Sequence, residues 1–331
     1  MLLSVHKWYD GTQEDFDAIP QVSFHLSLVL QKEGGYFGCI LEATPKQASV
    51  LQYTYSYRPI SCSHVTASLA LRPLHHTLKC SLIYTSNSNI INNARFVGDR
   101  LELTKQDVLC CPPPLFHCFG LVCGLLATAS HGSTLVLPSD VFNPAAIIQS
   151  FTQEKCTIVN AVPTMLQSLL NQEDSKSTAA EYSLRTGIIA GASLSKSLLD
   201  GLSDRFGLSS LLYPFGMTEL SAVSFCTSSN HSLLSDWTTV GTLLPHTSAK
   251  VIGPSGETLP PGQPGELCVS GYLVHQGYYQ APDKSAEIVR TDERGRAWLH
   301  TGDTVTISPG GFCTVMGRTK DMIKKGEQRF P

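Results

Sequence analysis

The segment RTGIIAGASLSKSLLDGLSDRFG, residues 185–207, decides the fold class. It opens with a short apolar run, which predicts a buried strand. Small and polar residues follow as a turn, and the leucine-rich remainder predicts a helix. We therefore interpret the segment as one strand–turn–helix unit.

The same pattern recurs along the preceding hundred residues. Helical spacing places Ile90, Ile91, Ala94 and Val97 on one face of NIINNARFVGDRL. Two further helices are predicted in FHCFGLVCGLLATASHG, which ends before Gly132, and in NPAAIIQSFTQEK, which begins with an Asn cap and a Pro. Strands are predicted in CSLIYTS, DVLCCPPP, STLVLP, CTIVNA and SLLYP. Alternating strands and helices predict an α/β fold with a layered parallel sheet over residues 81–238.

A smaller β-rich subdomain is predicted over residues 239–316, where helical patterns give out. The stretch SAKVIGPSGETLPPGQPGELCVSG reads as a hairpin with its turn at Pro254–Gly256. Residues 1–80 have strand-like apolar runs without clean alternation and are left unassigned. A ligand site is expected at the carboxyl ends of the parallel strands and at the seam between the two subdomains.

Composition narrows the class of protein. Of 331 residues, 42% are hydrophobic and 15% charged, which is a globular balance. The net charge of −3 leaves no basic face for nucleic acid, and the apolar run from Phe119 is too short to span a membrane. The eleven cysteines include no CxxC pair, so buried reduced thiols of a cytoplasmic protein are favoured over a zinc site.

Three motifs contain the residues suited to chemistry. FGMTE (215–219) follows an apolar strand and offers an aromatic ring, a hydroxyl and a carboxylate that can hold Mg²⁺, although alone it also fits an ordinary loop. HTGD (300–303) offers a carboxylate that can accept both hydroxyls of a ribose, or a simple turn. GRTKDMIKKGE (317–327) offers an arginine donor, or a solvated charged linker.

Together, these motifs resemble the signatures of the adenylate-forming (AMP-binding) enzymes, and their details are most similar to medium-chain fatty acyl-CoA synthetases. Phe215 stands where the family has tyrosine, Thr301–Asp303 match its Thr-Gly-Asp, and residues 317–324 match its hinge. PPPLFHCFGLVCGLL, AGASLSKSLL and PGELCVSGYLVHQGYYQAPDKSAE resemble other family segments. The resemblance covers residues 82–331 and implies a partial large domain of this family.

The resemblance implies a site for ATP or AMP. Its residues would be Gly191, Ala192, Phe215, Gly216, Thr218, Asp303 and Arg318. In the implied roles, the Phe215 ring stacks on adenine, Thr218 contacts the α-phosphate, and Asp303 with Arg318 holds the ribose.

The resemblance also implies the residues for catalysis and for the acid. His117, Thr218 and Glu219 would be catalytic, with Glu219 holding Mg²⁺. Phe116 and Phe119 would line the acyl pocket, and Lys320 would be the hinge of a C-terminal lid. A small carboxylic acid would be activated as an acyl-adenylate and passed to coenzyme A.

The sequence departs from the family in three ways. The Gly-rich loop that wraps the β- and γ-phosphates should follow a strand such as LIYTS, but residues 84–86 run directly into NSNIINN. The hinge, residues 317–331, is altered at GEQRFP and is expected to be truncated, without the lid domain that carries the catalytic lysine. Residues 1–80 do not resemble the family's longer N-terminal subdomain.

Three interpretations follow. The chain is an acyl-CoA ligase that activates a medium-chain or similar acid, in fatty acid metabolism or secondary metabolite biosynthesis, with weak or no activity of its own. Alternatively, it is a non-catalytic remnant that binds a nucleotide or associates with a full-length relative, or a broken product with little folded function. Cytoplasmic location is favoured; the terminal RFP is not a Ser-Lys-Leu-type peroxisomal signal, yet a peroxisomal location stays open.

Overall fold

A computed structural model describes the central part of the chain and short segments at either side. The described residues are 2–4, 25–32, 35–42, 51–52, 67–70, 82–172, 179–192, 194–208, 210–229, 237–318, 323–325 and 328–330. Side chains are described between residues 83 and 318.

The strands and helices are numbered along the chain. The strands are β1 (Leu2–Ser4), β2 (His25–Lys32), β3 (Gly35–Glu42), β4 (Leu51–Gln52), β5 (Ala67–Ala70), β6 (Leu82–Tyr84), β7 (Val108–Cys110), β8 (Thr134–Val136), β9 (Ile158–Ala161), β10 (Thr186–Ile189), β11 (Pro214–Phe215), β12 (Phe225–Cys226), β13 (Thr242–Leu243), β14 (Thr247–Ile252), β15 (Gly265–Gly271), β16 (Gly277–Tyr278), β17 (Val289–Thr291), β18 (Ala297–Ile307), β19 (Cys313–Arg318), β20 (Ile323–Lys325) and β21 (Gln328–Phe330). The α-helices are α1 (Asn87–Arg100), α2 (Ala127–His131), α3 (Pro144–Gln153), α4 (Pro163–Leu170), α5 (Lys196–Phe206) and α6 (Pro282–Ile288). A π-helix (Phe119–Leu126) leads into α2, and 3₁₀ turns span Ala179–Glu181 and Thr218–Leu220.

A parallel sheet forms the first layer, with strand order β1-β8-β7-β9-β10. Strands β7 to β10 pair in parallel, and β1 lies antiparallel on the edge. Helices connect the successive parallel strands, so the α/β class predicted from the sequence is confirmed.

Alternating side chains of the sheet face two separate cores. Leu109, Leu135, Ile158 and Ile188 face a core that includes α1 and the π-helix. Their neighbours Cys110, Val136, Val159 and Ile189 face the core that includes α3, α4 and α5. The two-residue period of strands explains why the runs are apolar throughout, since both faces of the sheet are covered.

Antiparallel sheets make up the rest of the described chain. One has the order β14-β15-β18-β17, with β19 also paired to β18. A three-stranded sheet contains β11, β12 and β13, and another has the order β16-β6-β5-β4. Two hairpins, β2–β3 and β20–β21, complete the strands.

The local helix signals act as the sequence predicts. Asn143 caps α3 through a side-chain oxygen that accepts from the Ala146 N–H at 3.2 Å, with Pro144 at the first helical position. Gly132 ends α2 in the left-handed conformation at φ 68°. Ile90, Ala94 and Val97 are buried on one face of α1.

Some expectations are wrong in detail. Strand β6 lies outside the parallel sheet and pairs antiparallel with β5 and β16. The predicted strand in SLLYP adds a single parallel bridge, from Leu212 to Ile188, before β11 turns into another sheet. The β-rich part does contain a helix, α6, which begins with Pro282. Non-local pairing decides each of these features, so a local pattern misses them.

One buried carboxylate, Asp107, joins the elements at the amino ends of the parallel strands. Arg185 donates to it twice, from Nε and Nη2, both at 2.9 Å. The Thr157 hydroxyl donates at 2.8 Å and the Thr104 N–H at 2.8 Å. Burial raises the pKa of Asp107, but these hydrogen bonds outweigh it and hold the pKa below its ordinary value of 3.8.

Replacing Asp107 with Asn should lower the free energy of unfolding by about 3 kcal/mol at neutral pH, because it leaves a mostly buried ion pair without its anion. A carboxyl whose folded pKa is depressed stabilises the fold above its unfolded pKa and loses that effect as the pH falls through its folded pKa. The difference between wild type and D107N should therefore shrink below pH 3.8. Urea denaturation at several pH values measures it.

The matched control is Asp200→Asn, which breaks an exposed helical ion pair with Lys196 at 2.7 Å. Such a pair is worth about 0.3–0.5 kcal/mol, so D200N should be nearly silent. Equal losses in the two variants would contradict a central role for Asp107.

Candidate functional site

The FGMTE motif forms a tight loop directly after β11. Phe215 pairs with Phe225 across the sheet, and a 3₁₀ turn begins at Thr218. A Cβ at Gly216 would lie 1.8 Å from the main-chain oxygen of Ala222, a separation that real side chains never show. This position therefore requires glycine for close backbone approach.

Unusual backbone geometry turns this loop back on itself. Ser221 and Ala222 adopt φ angles of 56° and 110°, which side-chain-bearing residues rarely adopt. The Ser224 N–H donates to the Phe215 carbonyl at 2.9 Å, and the Ser221 hydroxyl donates to the Leu273 carbonyl at 2.8 Å. The surrounding contacts hold the strained turn, so the loop is fixed before any ligand arrives.

The glycine-rich segment after β10 lies beside this loop. The Tyr213 hydroxyl donates to the Ala192 carbonyl at 3.2 Å, and Gly191 takes a positive φ of 91°. Tyr213 is two residues before Phe215, so one contact fixes residues 191–192 next to the strand that carries the aromatic ring. The structure thus brings together two of the predicted nucleotide-binding segments.

The LFHC stretch precedes the π-helix. Phe116 is 53% exposed, whereas Phe119 is buried in the core. The Phe119 N–H donates to His117 Nδ1 at 3.1 Å, which leaves Nε2 as the protonated nitrogen of the neutral ring. Partial burial lowers the pKa of His117, and the ring is therefore neutral at pH 7.

Cys118 connects this stretch to the FGMTE loop. Its sulfur lies 3.9 Å from the Thr218 hydroxyl oxygen and 3.9 Å from His117 Nδ1. Burial raises the pKa of this thiol to about 11, so it remains protonated and packs as a small apolar group. His117 and Thr218 are thereby neighbours of one side chain.

Glu219 contacts a strand about sixty residues further along the chain. Its Oε1 accepts a hydrogen bond from the Tyr278 hydroxyl at 2.7 Å, and its carbonyl accepts from the His275 N–H at 3.0 Å. Burial and the Glu219 carboxylate both raise the pKa of Tyr278. Burial likewise lowers the pKa of His275, so both neighbours of Glu219 are uncharged at neutral pH.

Asp303 and Arg318 face each other across the β18–β19 pairing. Arg318 Nε lies 3.5 Å from Asp303 Oδ1; the aspartate is 7% exposed, and the arginine side chain is open to solvent. Burial raises the pKa of Asp303, while the Arg318 cation acts in the opposite direction. The Asp303 N–H donates to the Thr301 hydroxyl, which sets the turn around Gly302.

A shared hydrophobic core links this pair to the FGMTE loop. Phe215 and Met217 pack against a cluster that contains Val305 of β18 and Cys313 of β19. Two main-chain hydrogen bonds tie the two antiparallel sheets together: the Cys313 N–H donates to the Gly241 carbonyl, and the Val240 N–H donates to the Cys313 carbonyl, both at 2.8 Å. The elements that carry the predicted adenine, phosphate and ribose contacts therefore surround one core.

The connection from β6 to α1, where the resemblance predicts the phosphate-binding loop, is short. Only Thr85 and Ser86 separate strand from helix. Ser86 caps α1 in a reciprocal arrangement with Asn89, with the Ser86 N–H to Asn89 Oδ1 at 2.6 Å and the Asn89 N–H to Ser86 Oγ at 3.1 Å. Lys320, the predicted hinge, lies outside the described residues.

Sequence reasoning missed several residues around the site. Tyr278 and His275 stand in the stretch PGELCVSGYLVHQGYYQAPDKSAE and Tyr213 in SLLYP, but no role is predicted for them from the sequence, and Cys118 stands among other apolar cysteines. The adjacent tyrosines 278 and 279 were the available signal, although the sequence does not show that Tyr278 contacts Glu219.

Within the described ranges, other classes of site are not seen. No group of three or more His, Cys, Asp or Glu side chains is arranged to hold a metal ion. The eight described cysteines are all buried and free of disulfides, which agrees with the prediction of buried thiols. No described helix combines the length and the hydrophobicity that crossing a bilayer requires.

Comparison with known proteins identifies the family. The family model for the AMP-binding enzyme matches residues 82–279, more than half of the chain. The chain belongs to the AMP-binding enzyme family, and the resemblance read from its motifs is confirmed.

Similar curated proteins include acyl-CoA ligases. Acyl-CoA ligase sidI of Aspergillus fumigatus is 42% identical over 271 residues, which cover 78% of this chain and 46% of that protein. A mitochondrial medium-chain acyl-CoA ligase of Mus musculus is 34% identical over 303 residues, 88% of this chain and 47% of that protein. The chain thus spans about half the length of the curated relatives it matches.

A solved structure agrees with the fold. The O-succinylbenzoate coenzyme A synthetase of Bacillus subtilis, in complex with ATP and a magnesium ion, superimposes with a TM-score of 0.65 at 26% identity. The match covers 76% of this chain and 50% of that one. The fold is therefore that of the first part of an adenylate-forming enzyme.

Replacing Gly216 with Ala should destabilise the chain by about 3 kcal/mol, because the new methyl group overlaps the main chain at Ala222 and the loop must shift. Thermal or urea unfolding measures the loss. Gly310→Ala is the control, since a Cβ there would make only ordinary contacts, with the Phe312 ring at 3.5 Å and the Ser308 hydroxyl at 3.8 Å. A neutral G216A would show that the loop is not tightly closed.

Proposed function

We propose that the chain binds the adenosine moiety of ATP or AMP and, as part of an acyl-CoA ligase, activates a medium-chain carboxylic acid through an acyl-adenylate for transfer to coenzyme A. The observation that carries the proposal is the buried Asp303 opposite an exposed Arg318, on strands that share a core with Phe215. A carboxylate held in this way accepts the two ribose hydroxyls, and the guanidinium adds a donor.

The assigned roles follow from the chemistry of each group. The Phe215 ring offers a flat face to adenine, and the main chain at Gly191 and Ala192 runs alongside. Gly216 lets the loop close, and the Thr218 hydroxyl donates to the α-phosphate. Phe for Tyr at 215 keeps the stacking surface and loses one hydroxyl, worth about 1 kcal/mol if hydrogen-bonded.

Glu219 fits a divalent cation. Tyr278 occupies one carboxylate oxygen, while Oε2 accepts no hydrogen bond from any residue in the described part of the chain. Carboxylate oxygens are the protein ligands that Mg²⁺ prefers. When bound there, Mg²⁺ would neutralise charge that two anionic reactants bring together.

The acid would lie next to His117. Neutral at pH 7, this ring can donate a hydrogen bond from Nε2 to a carboxylate without forming an ion pair. Phe119 and the exposed Phe116 supply apolar surface for an acyl chain. Attack of the carboxylate on the α-phosphate releases pyrophosphate, and the thiol of coenzyme A then displaces AMP. Positioning of two anions is the main task of the site.

A second candidate function is nucleotide binding without turnover. The two-residue connection between β6 and α1 favours it, because a Gly-rich loop would otherwise offer its main-chain N–H groups to the leaving pyrophosphate. Association with a full-length relative belongs to this candidate. The cytoplasmic and peroxisomal locations stay predictions.

Calorimetry with AMP and with ATP tests the adenosine site. Wild type should bind AMP at least as tightly as ATP. Asp303→Asn should weaken AMP binding by about 2 kcal/mol, roughly thirtyfold, because hydrogen bonds to a charged group are lost. Arg290→Met, which alters an exposed cation on β17, should leave the affinity unchanged, and similar losses in both variants would contradict the proposal.

The pH dependence of AMP binding gives an independent check on Asp303. Burial raises its pKa, so binding should weaken on acidification with a midpoint above the ordinary 3.8. Arg318→Met removes the cation that favours the ionised carboxylate, and the midpoint should move further up. A midpoint that stays fixed in R318M would show that Asp303 does not govern binding.

Exchange of radioactive pyrophosphate into ATP separates the two candidate functions. With acids of about six to twelve carbons and Mg²⁺, the chain should give exchange at a small fraction of the rate of a complete acyl-CoA ligase, since groups that act as a unit are strongly non-additive. Rates equal to those of a complete ligase would show that the phosphate loop is dispensable here.

A further inference from the structure

Tyr278 makes a contact that the assigned site does not use. Its hydroxyl donates to Glu219 Oε1 at 2.7 Å, joining two segments that the sequence separates by 59 positions. The distance lies in the ordinary range for an O–H···O hydrogen bond. Among the described residues, no hydrogen bond to the second oxygen of Glu219 accompanies this contact.

The backbone of Tyr278 is fixed on both sides. It pairs with Ile83 in the β16–β6 ladder, and its N–H donates to the Ser285 hydroxyl at 2.8 Å. Ser285 in turn donates to the Ala281 carbonyl at 2.9 Å, at the start of α6. The strand beside the shortened β6–α1 connection and the first turn of α6 therefore determine where Tyr278 stands.

The ring of Tyr278 is fixed as well. Its centroid lies 5.3 Å from that of the buried His275 ring, and the Lys284 ammonium lies 4.3 Å above its face. His275 is anchored by its Nδ1, which accepts from the Gly277 N–H at 2.6 Å, and by its own N–H to the Glu219 carbonyl. Both the main chain and the carboxylate of Glu219 are thus held by one short segment, residues 275–278.

A carboxylate that ligates a cation needs a partner that restrains its rotation. Outer hydrogen bonds to ligating carboxylates supply that restraint, and their loss typically weakens metal affinity roughly ten- to a hundredfold. A neutral donor on Oε1 restrains the group without taking its charge.

We propose that Tyr278 is a positioning residue that orients Glu219 to bind a divalent cation at the nucleotide phosphate. This inference rests on the proposed function, because it assigns the geometry of the same site. In the segment QGYYQ, residues 276–280, the inference gives Tyr278 a role in metal binding and gives none to its neighbour Tyr279.

Mn²⁺ binding to the full chain, measured by electron paramagnetic resonance with and without saturating AMP, tests the proposal. Glu219→Gln should remove the Mn²⁺ site, and Tyr278→Phe should weaken it by about tenfold or more. Tyr279→Phe is the matched control. This tyrosine is 41% exposed, its hydroxyl accepts a hydrogen bond from the Gln280 amide, and its ring packs edge-on against Tyr84. Loss of the Tyr279 hydroxyl should leave the Mn²⁺ affinity unchanged.

Two further readouts separate positioning from a general structural role. Metal-free AMP affinity and the melting temperature of Y278F should match those of Y279F, since Asp303 and the core are untouched. If Y278F binds Mn²⁺ as tightly as Y279F, or if it loses metal-free AMP binding to the same extent, the positioning role is overturned.

The same data tell the two proposals apart. If wild type binds AMP but Y278F and Y279F have equal Mn²⁺ affinity, the role of Tyr278 is overturned and the proposed adenosine site is supported. Wild type that binds Mn²⁺ through Glu219 and Tyr278 without any AMP would overturn the adenosine site alone. Absence of Mn²⁺ binding in wild type overturns the positioning role.

Discussion

The ion pair between Asp107 and Arg185 is the constraint on which the α/β layer depends. It joins the start of β7, the start of β9 and the start of β10 at one edge of the parallel sheet. An unpaired charge at that depth would be costly, so the pair forms only when these strands are in register. Because the amino ends are fixed in this way, the opposite edge of the sheet is left for the loops of the candidate site.

The candidate site uses that opposite edge and adds groups from the antiparallel sheets. No single element carries it: the aromatic ring of Phe215 comes from β11, the proposed ribose acceptor Asp303 from β18, and Arg318 across from it from β19. Small contacts between side chains keep these parts in place. Tyr213 fixes the glycine segment, and Cys118 joins the histidine to the threonine. Preorganisation of this kind lowers the entropic cost of holding a flexible nucleotide.

Local signals in the sequence predicted local features well. The Asn143–Pro144 start of α3 and the Gly132 end of α2 depend on neighbouring residues only, and both were readable. The π-helix that begins at Phe119 could not be predicted from the sequence. Apolar spacing alone does not distinguish hydrogen bonds to the fourth residue from hydrogen bonds to the fifth residue. The sheet to which β6 belongs could not be predicted either, because a three-residue strand carries no information about its partner.

Within the site, too, local motifs could be predicted from the sequence and long-range pairings could not. The motifs identified Asp303 and Arg318, but their pairing depends on the register of β18 and β19, which shifts at a bulge between Thr304 and Val305. Tyr278 was invisible for a similar reason: its partner lies 59 positions away and only the folded chain brings the two together. Sequence patterns thus gave the candidates, and long-range pairing supplied the geometry.

The reciprocal cap between Ser86 and Asn89 has a consequence for how such a chain could change. Amides that close on a neighbouring side chain are no longer free to meet an anion, and Asn89 also reaches the Val274 carbonyl with its amide at 3.1 Å. A phosphate could therefore bind the Ser86 and Asn89 N–H groups only if this cap opened. A short connection whose N–H groups are already hydrogen-bonded is stable as it is, and single substitutions do not convert it into a phosphate-binding loop.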